Sequence, residues 1–328
     1  MSFYLSTDRR TLLSLSTVAV AASIAPLLGV AQETEGEGSV PTSYPQPSID
    51  ARHPAEIAPG VFVIPDRRIP LVPNVGIIVG SERALVVDCG LGIDSAEAVL
   101  ETTRRLAPGR EIVLTLTHAH PEHGFGAQVF AAAGRIFYNA LQAEHLARAG
   151  QPLLDGFRAG VLPPEHQFLL DGIDITPPTQ TYNGTETRLD LGGRQVVLRS
   201  VGLAHSPGDQ IVHLLDAGVL FAGDLIEERI YPIVPYFPPL IGADDIDLPA
   251  WRTALGAIAD LAPTIIVPGH GNLGGTELPE DVSSYLGALE DIAAGGGDLD
   301  AMVAEIRRRY PTWEQAGYIQ PALQYLTR

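Results

Sequence analysis

Three histidines and a carboxylate fall within six residues, His118-Ala-His120-Pro-Glu122-His123, directly after the apolar run 112–116. The run predicts a buried strand. On a chain still extended, His118 and His120 point to the same side, and the turn at Pro121 swings Glu122 and His123 round towards them. Imidazoles and carboxylates packed this closely repel once charged and are costly to desolvate, so a divalent cation is their natural partner. The bland alternative, a histidine-rich surface loop, explains single histidines better than it explains three of the chain's nine at one strand end.

A metal needs more ligands than this stretch can give, and the downstream chain offers three in similar positions. His205 lies in Gly-Leu-Ala-His-Ser-Pro-Gly, Asp224 in Phe-Ala-Gly-Asp-Leu, and His270 in Pro-Gly-His-Gly. Each follows or ends an apolar strand and has glycine nearby, which lets the backbone approach a ligand closely. Ser206, beside His205, reads as a turn residue.

With those residues in hand, the sequence resembles the metallo-β-lactamase-fold hydrolase superfamily. The family pattern is an Asp at an early strand end, His-x-His-x-Asp-His, a later His, a bridging Asp and a final His, and it falls on Asp88, His118, His120, Glu122, His123, His205, Asp224 and His270 over roughly residues 57–275. One position departs, because Glu122 stands where the family has Asp and its carboxylate reaches further by about 1.5 Å. The resemblance implies an α/β fold, a four-layer αβ/βα sandwich of two mixed sheets with outer helices. It implies one metal held by His118, His120 and His205, a second held by Glu122, His123 and His270, and Asp224 bridging them. Asp224, Glu122 and Asp88 are the carboxylates it places in the catalytic centre, Asp88 by orienting a ligand. The cofactor expected from N/O ligands is Zn²⁺, two per chain, with iron or manganese left open.

Such a centre hydrolyses, supplying hydroxide near neutral pH and polarising a carbonyl or phosphoryl oxygen. Family β-lactamases usually carry another residue where this chain has Asp224, so a small ester, lactone or thioester is the expected substrate. β-Lactam hydrolysis and a metal-binding accessory role with weak turnover are the alternatives. A di-iron oxidative role would need a flavin domain that the sequence lacks.

Composition narrows the classes further. With 39 acidic and 21 basic residues the formal charge is -18, and every basic residue is Arg. Lysine Schiff-base chemistry is therefore excluded, and the acidic balance argues against a nucleic-acid partner. The single cysteine, Cys89, allows no intrachain disulfide and reads as a small buried hydrophobe.

Three regions are expected. Residues 1–31 read as a cleaved export signal, with Arg9-Arg10 followed by Thr-Leu-Leu resembling a twin-arginine leader; a retained membrane anchor is the alternative. Cleavage would leave a periplasmic or secreted enzyme with no stable membrane association. Residues 32–56 read as a flexible linker and 57–328 as the hydrolase domain. Strands are expected at 61–64, 75–79, 84–88, 112–116, 135–139, 187–191, 195–200, 211–215, 219–222 and 264–267. Helices are expected at 95–106, 128–133, 140–149, 251–261, 279–294 and 298–309. The Pro- and Gly-rich stretches 150–180 and 231–240 read as walls of an apolar pocket or as plain connections.

Overall fold

A computed structural model describes residues 45–235 and 245–328. The expected export signal and residues 32–44 of the expected linker lie outside the described residues, as does 236–240 of the expected pocket wall. The rest of the linker does not behave as one. Ile49 and Ala51 are buried, the Ile49 N–H donates to Ser95 Oγ, and Ala55–Ala58 forms a strand, so the domain begins several residues earlier than residue 57.

Among the described residues, twelve strands form two sheets. The first has seven: β1 (Ala55–Ala58), β2 (Val61–Ile64), β3 (Val75–Val79), β4 (Arg83–Val87), β5 (Glu111–Thr115), β6 (Gly134–Asn139) and β7 (Gln180–Tyr182), in that spatial order. β1 to β4 are antiparallel neighbours, whereas β4 to β7 run parallel. The second sheet holds β8 (Glu186–Asp190), β9 (Gln195–Leu203), β10 (Pro207–Leu214), β11 (Val219–Glu227) and β12 (Ile265–His270), antiparallel except for the parallel β11–β12 pair.

Side chains of successive strand residues point to opposite faces, and here both faces are apolar. Val61 and Val63, Leu85 and Val87, and Val113 turn towards β10 to β12, packing with Val212, Val219, Phe221 and Val267 between the sheets. The intervening Ile64, Val86, Ile112 and Leu114 face outward under α1 (Ile93–Leu106). On the far side, Leu220 and Ala222 lie under α5 (Leu248–Asp260), α6 (Glu277–Gly295), α7 (Leu299–Arg309) and α8 (Ile319–Leu326). Strands buried on both faces read as unbroken apolar runs. The result is the helix–sheet–sheet–helix sandwich expected from the sequence.

Three further α-helices precede the second sheet among the described residues, the one-turn α2 (Pro121–Gly124) and α3 (Gln128–Ala131) and the long α4 (Ala140–Gly156). The 150–180 stretch is core rather than pocket wall. Leu153, Leu154, Phe157, Leu162 and Leu170 pack on Phe125 and Leu91. Among the described residues, no helix is long and apolar enough to cross a membrane.

Candidate metal centre

All eight residues of the pattern meet at one edge of the sandwich, where β4 and β5 of one sheet and β11 and β12 of the other reach their C-terminal ends. Ends of parallel strands are the usual place for ligands in α/β sheets, because loops diverge there. Two groups form. One ligand atom each from His118, His120, His205 and Asp224 lie within 4.8 Å of one another, and the same holds for Glu122, His123, Asp224 and His270. Asp224 belongs to both.

Local structure explains how a short stretch supplies four of these groups. β5 stops at Thr115, and Pro121 opens a one-turn helix, with His120 at its N-cap position and the His123 N–H donating to the His120 carbonyl at 3.1 Å. Pro suits that first turn, since its missing N–H would be unpaired there anyway. Glu122 lies within the turn, where the helix dipole favours a carboxylate. The longer side chain thus reaches the second group with its loop helical.

Asp88 sets the orientation of the group. Its φ of 64° is a left-handed conformation that Asp tolerates better than most residues. The carboxylate accepts from the Thr117 N–H at 2.7 Å and the Thr117 hydroxyl at 2.9 Å, and faces His123 Nδ1 at 2.9 Å. Because the Thr117 hydroxyl donates to Asp88, its oxygen is left to accept from His118 Nδ1 at 3.1 Å. His270 Nδ1 likewise donates to the Val72 carbonyl at 3.0 Å. Three imidazoles are therefore held in the tautomer that leaves Nε2 bare.

Those bare nitrogens converge on Asp224. His118 Nε2 stands 3.7 Å and His270 Nε2 3.6 Å from Oδ2, while His123 Nε2 stands 3.2 Å from Oδ1. His120 Nδ1 and His205 Nε2 face each other at 3.2 Å. Ligands about 2.0–2.1 Å from a tetrahedral ion stand ~3.3 Å apart, so these spacings fit a shared cation better than a hydrogen-bond network. Among the described residues, the buried atoms His118 Nε2, His123 Nε2 and Asp224 Oδ1 satisfy no hydrogen bond, which in a buried site is costly unless another group binds there.

Burial and the neighbouring imidazoles hold His118 and His120 well below the usual histidine range, and burial brings His205 down to about 4. Neutral imidazole is the form that binds metal. Burial opposes the charge on Asp224, but His123, His270 and His118 outweigh it and hold the carboxyl well below its ordinary value. Burial likewise opposes protonation of His123, yet Asp224 and Asp88 raise it well above its usual range. A cation binding here competes with that proton.

Further residues hold the centre and carry no motif of their own. Asn74 Nδ2 donates to the Pro268 and Gly271 carbonyls at 3.0 and 2.9 Å, and Asp66 accepts from the Gly271 N–H at 2.8 Å, which fixes the His270 loop. Asp209 accepts from the Ser206 N–H and hydroxyl, closing the turn behind His205, and confirms Ser206 as a turn residue. Trp251 packs edge-on against His205 with ring centroids 4.9 Å apart. Cys89 is buried, its thiol pushed well up by burial, as suits a hydrophobe rather than a nucleophile.

The cavity in front of the two groups holds about 360 Å³ of non-atom space, part of it open to solvent. Apart from ligands, its walls are Leu71, Glu227, Ile233, Gln315 and Tyr318. Of the expected wall segments, only Ile233 lies there among the described residues. Tyr231 instead packs in an aromatic cluster with Tyr285 and Trp313. The C-terminal residues Gln315 and Tyr318, and Glu227 at the end of β11, were not legible as wall residues. A charged residue directly after the apolar pair Leu225-Ile226 was the available signal for Glu227.

The metallo-beta-lactamase superfamily model matches residues 68–270, more than half of the chain. The human acyl-coenzyme A thioesterase MBLAC2 is 26% identical over 176 residues, which cover 47% of this chain and 58% of that protein. This chain therefore matches little more than half the length of that curated relative. Among solved structures, the stereoselective inverting sec-alkylsulfatase Pisa1 from Pseudomonas sp. overlays with a TM-score of 0.59 at 17% identity, over 83% of this chain and 50% of that one. A metallo-beta-lactamase from Pontibacter korlensis gives 0.55 at 20%, over 71% and 98%. These two share the fold. Sandwich, converging ligands and family model agree, and the chain belongs to the metallo-beta-lactamase superfamily.

Proposed function

We propose that the protein is a dinuclear zinc hydrolase of small carbonyl esters, lactones or thioesters. The observation that carries this reading is the sharing of Asp224 by two groups of buried ligand atoms, among which His118 Nε2, His123 Nε2 and Asp224 Oδ1 satisfy no hydrogen bond among the described residues. In this reading His118, His120 and His205 hold one Zn²⁺, Glu122, His123 and His270 the other, and Asp224 both. Cations so placed supply Lewis acidity and make a nucleophile of water near pH 7.

The chain's own residues do the rest. Asp88 holds His123 and, through Thr117, His118 in the tautomer that presents Nε2. Leu71 and Ile233 give the substrate an apolar surface, and Gln315 and Tyr318 offer polar groups to orient it. Thioesters come first among the candidates, because the MBLAC2 relatives are named acyl-coenzyme A thioesterases. An exported location belongs to the same proposal, resting on the Arg9-Arg10 leader.

Elemental analysis of active protein, combined with turnover on thioester, lactone, ester and β-lactam panels for wild type and Glu122→Asp, tests the reading. Two metal equivalents with thioester or lactone turnover are expected, and Glu122→Asp should retain at least one equivalent. Fewer than one equivalent in active wild-type protein refutes the dinuclear centre.

A further inference from the structure

Gln315 stands on the cavity wall although no metal-site pattern places it there. It comes from the turn between α7 and α8, it is half-exposed, and among the described residues its carboxamide makes no hydrogen bond. Its φ of 61° is left-handed, a conformation unfavourable for glutamine that persists only where the surroundings impose it. Glu314, one residue earlier, forms an isolated parallel bridge with Ile230, its N–H donating to the Arg229 carbonyl at 2.9 Å and its carbonyl accepting from the Tyr231 N–H at 3.0 Å. The Glu314 carboxylate takes Arg68 Nε at 2.8 Å, and the same guanidinium holds Glu228 at 2.8 Å. On the other side, the Gln315 carbonyl accepts from the Tyr318 N–H at 3.1 Å and closes a 3₁₀ turn. Three segments far apart in sequence thus fix the backbone that carries this one side chain. A hydrogen-bonding group presented from a fixed backbone loses less freedom on binding than one on a mobile loop.

The chemistry of the wall defines what such a group can recognise. A carboxamide donates and accepts in one plane, and a secondary amide answers both at once. An anion would answer the donors alone. Among the described residues no arginine lines the cavity, Arg68 being engaged by two carboxylates, and the chain contains no lysine to assist. An alkyl chain would answer neither and would displace water from the carboxamide. Leu71 and Ile233 supply the apolar surface for the carbons on either side of an amide.

We propose that Gln315 is a specificity-determining residue whose carboxamide pairs with a secondary amide carried by the substrate a few bonds from the scissile carbonyl. The inference rests on the hydrolase reading and narrows its thioester class to those that bear an uncharged amide. A site that hydrogen-bonds a substrate group discriminates against the analogue lacking it, because its own polar atoms are then left unpaired.

The test uses zinc-loaded protein and two pairs of thioesters, each an amide against its all-methylene isostere. One pair places the amide in the thiol, S-butyryl-N-acetylcysteamine against S-butyryl pentanethiol. The other places it in the acyl group, the S-pentyl thioester of N-acetyl-β-alanine against that of hexanoic acid. Wild type should favour the amide in at least one pair, and in that pair Gln315→Met should lower the amide-to-alkyl ratio of kcat/KM at least about fivefold. Gln315→Gly should do the same, and since glycine suits a left-handed backbone it serves even if Gln315→Met fails to fold. Zinc content should stay at two equivalents throughout. An unchanged ratio in the variants overturns the inference, as does loss of zinc from them, which would make Gln315 a support of the metal centre instead. A wild type that cleaves amide and alkyl thioesters equally well in both pairs overturns it too. Should zinc-loaded wild type cleave none of the four, the thioester reading itself fails and the inference falls with it.

Discussion

Asp88 shows how much of a metal centre is decided by residues that touch no metal. One carboxylate accepts from Thr117 twice and faces His123, so it fixes two imidazoles and the end of β5 together. Asp88→Asn keeps the shape but offers an amide where an acceptor is needed. Zinc affinity should fall by about 10–100-fold, read by competition against a chromophoric chelator. Asp209 makes a separate prediction, on stability. Burial, only partly offset by the Ser206 hydrogen bonds, pushes its carboxyl up to about 7 from 3.8. The folded state thus holds its proton more tightly than the unfolded chain. The stability this contributes is complete below about pH 4 and is lost as pH rises through about 7, an effect of at most about 4 kcal/mol. Urea titrations of metal-free protein should show that decline in wild type and a flatter profile in Asp209→Asn. Equal slopes for the two would remove Asp209 from the account.

Among the elements, β11 carries the most. Its pairing with β12 shifts register on both sides of Gly223, whose φ of 56° and contact with Thr117 leave no room for a side chain. An irregularity of this kind re-aims the next residue, which is Asp224. On β12, a Cβ at Gly269 would collide with Asp224 Oδ1 and lie 2.9 Å from the Asp224 nitrogen. Gly269→Ala should therefore displace the shared carboxylate. Elemental analysis should find both metals reduced, while far-UV circular dichroism stays close to wild type.

The same strand separates what was legible from what was not. His118, His120, Glu122, His123, His205, Asp224 and His270 stood out because these polar residues follow or interrupt apolar sequence with a glycine or proline within three positions. The strand was expected to end at 222, and so Glu227 escaped notice, since a polar residue past the apparent end of a strand looks like a loop. Residues 150–180 misled for the opposite reason. Pro152 inside α4 and short turns of 3₁₀ and π type after it erase the helical period, although their leucines pack as core. Asn74 and Asp66 carry no pattern, because their partners are backbone atoms far along the chain.

At the scale of the whole molecule, the centre sits where two sheets meet, and each sheet supplies ligands to both groups. Cations bound there would tie the sheets together and favour the folded state alone. Zinc at a hundredfold excess over its dissociation constant adds ~2.7 kcal/mol, which for a domain of this size raises Tm by about 5–10 °C. Differential scanning calorimetry with and without EDTA measures the shift; an unchanged Tm would mean that the groups hold no tight metal.

The bonds that secure the His270 loop and the cavity rim also span most of the sequence. Asn74 reaches Pro268, Asp66 reaches Gly271, and Arg68 reaches Glu314 across 246 positions. Contacts so distant along the chain close large loops and form late on a folding route. The centre should accordingly be absent from the transition state for folding, and zinc should slow unfolding while leaving the folding rate nearly unchanged. Stopped-flow measurements with and without zinc would show this as a displacement of the unfolding arm alone. The metal would then act as a latch on a finished structure rather than as a seed for it.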